Sequence, residues 1–63
     1  MAEGVVKFYN RMKRYGFING DDGNSYFVHE TGVKSGPLNE GDRVSFEVVE
    51  GEKGPKAEQV EKL

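Results

Sequence analysis

Apolar and polar positions alternate along most of the chain, and no stretch holds the three-to-four residue spacing of an amphipathic helix. The clearest alternation is Arg43-Val44-Ser45-Phe46-Glu47-Val48-Val49-Glu50, which predicts a half-buried strand with Val44, Phe46 and Val48 inward and Ser45 and Glu47 outward. Gly4 to Asn10 is β-branched and aromatic with no helix cap, and predicts a first strand. Strict alternation there puts Val6 and Phe8 on one face and Val5, Lys7 and Tyr9 on the other, so Phe8 and Tyr9 can share a face only through a bend or bulge. Tyr15 to Asn19 and Ser25 to His29 predict a hairpin about the turn Gly20-Asp21-Asp22-Gly23-Asn24. A fifth strand is expected over Lys56 to Lys62 after the turn Gly51 to Pro55; Ala57 and Val60 lie three apart, which requires an irregularity within it.

Glu30 to Gly41 has neither period. Its Thr31-Gly32, Ser35-Gly36-Pro37 and Asn39-Glu40-Gly41 steps predict a connection with room for a short helical turn, Val33 and Leu38 tucking under the sheet. Five short strands in one 63-residue domain, residues 1–63, predict a small all-β antiparallel barrel, whose closure removes exposed edges. A chain this short buries only about 60% of its unfolded surface, which leaves one thin core and no deep cavity. No cysteine is present to supply a disulfide or a thiolate metal site. No signal-like segment or membrane-length apolar run occurs, so a soluble, cytoplasmic protein is expected.

Function is concentrated between Lys13 and His29. Alternation places Tyr15 and Phe17 on one face of the second strand and Phe27 and His29 on one face of the third, with Ile18 and Val28 behind them. Rings gathered in this way are most often core. Against that, Val6, Ile18, Val28, Val44, Phe46, Val48 and Val60 suffice for one small interior, and Lys7, Arg11, Lys13 and Arg14 stand beside the rings, where burial would strand them. Exposed rings among cations suit single-stranded nucleic acid, since bases stack on the rings and phosphates sit on Lys and Arg. The net charge of −2 conceals a suitable asymmetry: residues 1–14 carry +3 and residues 15–63 carry −5.

The same residues resemble the cold shock domain family over nearly the whole chain. Lys7-Phe8-Tyr9-Asn10 is similar to its first-strand motif, Lys13-Arg14-Tyr15-Gly16-Phe17-Ile18 to its first ribonucleoprotein motif and Tyr26-Phe27-Val28-His29 to its second. Glu40-Gly41, Val44-Ser45-Phe46-Glu47 and Gly54-Pro55 follow in order. The resemblance implies a five-stranded Greek-key barrel of the oligonucleotide-binding (OB-fold) type and a monomeric, non-enzymatic protein. It also implies binding of single-stranded RNA or DNA with a lean to pyrimidines, and melting of RNA structure. Carried over by position, Phe8, Tyr15, Phe17, Phe27 and His29 would stack on bases and Lys7, Lys13 and Lys53 would face phosphates, with Tyr9 at the edge of the platform.

Departures from the family pattern bear on affinity. Phe8 stands where the family has tryptophan, Arg14 where it has glycine, and Glu30 where it has an aromatic, a charge expected to repel phosphate. The connection after the third strand is about three residues short and lacks the aromatic it usually supplies. Arg14 adds a cation in partial compensation.

Other chemistry finds little support. A lone histidine, His29, is a poor basis for a metal site. Ser25, His29 and Asp21 or Asp22 have the residue types of a hydrolytic triad without a spacing that implies one. The Gly20 to Gly23 turn lacks the Gly-Lys-Ser/Thr ending of a phosphate loop. No catalytic residue and no cofactor is therefore expected. The functional alternative is an SH3-like barrel whose exposed rings grip an extended peptide.

Overall fold

A computed structural model describes residues 1–63 apart from Ser35, Pro37 and Lys53. Five strands, β1 (Ala2–Asn10), β2 (Tyr15–Gly20), β3 (Ser25–His29), β4 (Arg43–Gly51) and β5 (Gly54–Lys62), close into a barrel in the order β1-β2-β3-β5-β4. A single 3-10 turn, Glu30–Gly32, opens the connection between β3 and β4. The expected all-β barrel is therefore present, with one seam of opposite sense. Four of the five strand pairs are antiparallel, and β3 meets β5 in a short parallel pairing at Phe27↔Lys56 and Val28↔Ala57.

Two bulges shape the barrel. In β1 the partners step from Val6↔Ile18 to Phe8↔Phe17, so Lys7 is an extra residue and the strand's facing reverses across it. Val6 points into the core, and Phe8 points outward beside Phe17. The second bulge lies in β5, where the partners step from Ser45↔Glu61 to Glu47↔Glu58 and Gln59 takes a left-handed φ of 53°. This is the irregularity that lets Ala57 and Val60, three apart, both be buried.

The interior consists of Val6, Ile18, Tyr26, Val28, Leu38, Val44, Phe46, Ala57 and Val60. Val48 does not belong to it. β1 pairs with β4 only as far as Ala2↔Phe46; beyond that point β4 has β5 as its one strand neighbour, and Val48 is 44% exposed. Tyr26 takes a core place instead, its ring tilted against Phe46 at 5.1 Å and its hydroxyl donating to the Asp22 carboxylate at the barrel's end. That bond holds the Asp22 carboxyl below the usual carboxylate range, with the Asn24 backbone N–H adding to it. At the same end, Arg43 reaches both Asp21, at 3.0 Å, and Glu3, at 3.1 Å, tying the β2–β3 turn to β1 and β4. Gly23 in that turn has φ of 87°, the left-handed conformation that favours glycine.

Candidate nucleic-acid interface

Strand register sets the aromatic arrangement. Phe8, Phe17 and Phe27 are successive cross-strand partners on β1, β2 and β3 and form one row; Tyr15 and His29 pair in the next row. Phe8 lies 5.5 Å from Phe17, and Phe17 lies edge-on to Phe27 at 5.8 Å. Tyr15 links the rows, stacked with Phe27 at 5.8 Å and edge-on to Phe8 at 6.2 Å. Phe8, Tyr15 and Phe17 are half-buried, while Phe27 and His29 are exposed. The rings therefore support one another through edge, tilted and stacked contacts and present an open surface to water, while the inner faces of the same strands carry the core. The bulge at Lys7 is what brings Phe8 into this group; without it Phe8 would follow Val6 inward.

That reversal also moves Tyr9. It pairs with Gly16 on the opposite side of the sheet from Phe8 and packs against the core, which corrects the expected position at the platform's edge. Gly16 makes room for it. A Cβ at this position would collide with the Phe8 carbonyl oxygen and lie 2.9 Å from Tyr9 Cδ1. Burial pushes the Tyr9 phenol's pKa up, with Glu30 raising it further and Arg14 opposing.

Asn10 builds the turn that carries the cations. Its side-chain oxygen accepts from the backbone N–H groups of Met12 and Lys13, both at 3.0 Å, and its carbonyl accepts from the Arg14 N–H at 2.7 Å. Sequence reasoning placed Asn10 at the end of the first strand and gave its side chain no task; an Asn immediately before a run of cations was the available signal. Lys7 at the bulge and Lys13 in the turn are exposed, on the β1 side of the ring group. Lys53, expected near phosphate, lies outside the described residues. Phe17, Phe27, Pro55, Glu50 and Glu52 line an open groove of about 710 Å³ that takes in part of the platform.

Arg14 has φ of 61°, a left-handed conformation that favours glycine, at the position where the family has glycine. Its Nε lies 3.3 Å from a Glu30 carboxylate oxygen, both side chains largely exposed. The two substitutions that looked independent in sequence thus meet in space, and the glutamate's charge is offset by the arginine. His29 caps the 3-10 turn, with Nδ1 accepting from the Thr31 N–H at 3.3 Å. In the neutral ring that bond puts the proton on Nε2. Among the described residues no three of His, Cys, Asp and Glu gather closely enough to hold a metal ion.

Comparison with known proteins bears on the same residues. The profile of the 'Cold-shock' DNA-binding domain matches residues 2–63. Cold shock protein CspD of Bacillus subtilis and cold shock protein CspB of Bacillus caldolyticus are each 46% identical to this chain, and cold shock-like protein CspLB of Listeria monocytogenes is 44% identical. Each alignment takes in all of both chains over 66 positions, three more than this chain has residues.

Proposed function

Taking as premise that the chain belongs to the cold-shock DNA-binding domain family, we propose that this nucleic-acid-binding domain holds single strands on Phe8, Tyr15, Phe17, Phe27 and His29. The observation that carries the reading is that these rings share one open face while the interior is filled without them. Each stacked base is worth roughly 1–3 kcal/mol, and the stacking is sequence-tolerant because every base has a π-face. Lys7 and Lys13 contact phosphates along the β1 side, and Lys53 is assigned the same role. Arg14 adds less than a free cation would, because Glu30 engages it. Tyr9 lies outside the stacking rows of the platform.

Bases held against rings are unavailable for pairing. By mass action a domain that binds only the unpaired form shifts RNA toward it, which is the action of an RNA chaperone. A lean to pyrimidines and a cytoplasmic location belong to the same proposal, and a monomer suffices since all five rings lie on one chain. The family membership disfavours the peptide-binding alternative.

A titration of labelled oligothymidine and oligoadenosine at several salt concentrations tests the reading. With three or four phosphates contacted, log affinity should fall against log salt with a slope of about −2 to −3. Absence of binding, or binding with a slope near zero, would overturn it.

A further inference from the structure

The platform ends at Tyr15 and His29, and the next residues outward are the paired Arg14 and Glu30. Beyond that pair lies a groove of about 420 Å³, lined by Tyr9, Arg11, Arg14, Glu30, Val33, Lys34 and Gly36. Its size falls within the roughly 300–1,000 Å³ of small-ligand clefts. Three cations face one carboxylate, and they arrive from two separate segments: Arg11 and Arg14 from the β1–β2 turn, and Lys34 from the connection after β3. Arg11 is held by donation to the Asn39 side chain, and Lys34 lies 3.8 Å from Glu61. The floor is apolar, formed by Tyr9 and Val33, both half-buried and packed against the core.

We infer that this groove is a second nucleotide subsite, in which a strand that overruns the platform places a phosphate between Arg11 and Lys34 and its sugar or base over Tyr9. The inference rests on the platform reading. It assigns a role to Tyr9, which the β1 bulge removes from the stacking rows, and to two cations that the platform does not use. The Arg14–Glu30 pair forms the sill between the two sites, and because its charges offset one another it presents little barrier to a phosphate crossing it. Position favours a continuing strand over a free nucleotide, since the groove begins where the last stacking row stops.

Anisotropy titrations with oligothymidines of about four and about ten nucleotides, spanning the site sizes usual for such barrels, test it. The unaltered protein should bind the longer strand more tightly than added length alone explains. Arg11→Gln with Lys34→Gln should leave the short strand's affinity unchanged within about twofold and weaken the long strand by about three- to tenfold, flattening its salt slope by about 0.7, the share of one phosphate. Lys34→Gln alone, which keeps the Arg11–Asn39 bond, should produce about half that slope change. Equal losses for both lengths, or no loss for the longer strand, would overturn the subsite and leave the platform standing. Failure of the unaltered protein to bind either strand would instead remove the platform reading. Thymidine monophosphate, titrated alone, should not compete with the long strand at equal nucleotide concentration; competition would assign the groove to free nucleotides.

Discussion

Tyr26 and Phe27 are consecutive aromatic residues of one strand, and they belong to different parts of the molecule. Tyr26 is 5% exposed, packed on Phe46 and bonded through its hydroxyl to Asp22; Phe27 is 37% exposed and touches only other rings of the outer face among its ring contacts. The same division runs through the sheet. Val6, Ile18 and Val28 face inward, while Phe8, Phe17 and His29, one or two residues away, face outward. Two-residue periodicity thus gives three short strands two separate tasks, with stability on one face and recognition on the other. The difference teaches that an aromatic residue's type says little about its role here; its parity in the strand, reset in β1 by the bulge at Lys7, decides.

Changes to the inner face should have the largest effects. Phe46 is fully buried, and Phe46→Ala should cost about 3–5 kcal/mol in lost contacts and residual cavity. A domain of this size is stable by only about 3–9 kcal/mol. Chemical denaturation should therefore find the variant largely or wholly unfolded near room temperature, and a midpoint close to the original would contradict the assignment of the core.

At the rim of the outer face, Glu30→Gln should strengthen single-strand binding by about two- to fivefold, the scale of one exposed ion pair. It removes a negative charge beside His29 and releases Arg14, so the salt slope should steepen by about 0.7. Weaker binding would mean that Glu30 holds Arg14 in a useful pose. A smaller effect belongs to the inner face. Because the folded protein depresses the Asp22 carboxyl, the contribution of its bond from Tyr26 is fully present above the unfolded value near 3.9 and is lost as pH falls through the lower folded value. Tyr26→Phe should accordingly melt below the unaltered protein at neutral pH, and the gap should narrow as pH falls below about 4. A gap independent of pH would contradict the charged bond.

Much of this division was legible in the residues. Strand positions, the ring group of Tyr15, Phe17, Phe27 and His29, and the inward Val6, Ile18, Val28, Val44 and Phe46 follow from alternation, because side-chain parity is local. What escaped was set by neighbours distant in sequence. Val48 alternates correctly and is nonetheless exposed, since inwardness also needs a strand opposite, and β1 has ended by then. Tyr26 was not counted in the core because its fitness depends on Asp22 accepting its hydroxyl. The bulge at Lys7 was posed as a condition, but which of Phe8 and Tyr9 it would favour depended on the room left by Gly16. Likewise, the pairing of Arg14 with Glu30 becomes visible only once β2 and β3 stand side by side.

The division of faces is tested most directly by measuring thermal stability and oligothymidine affinity on one variant, Phe27→Ala. The melting temperature should stay within a few degrees of the unaltered protein, because no core contact is removed, while affinity falls by roughly 1–3 kcal/mol for the lost stacking surface. A collapse of the melt would place Phe27 among the residues that hold the barrel, and a stable variant with undiminished affinity would remove the outer face from the binding site.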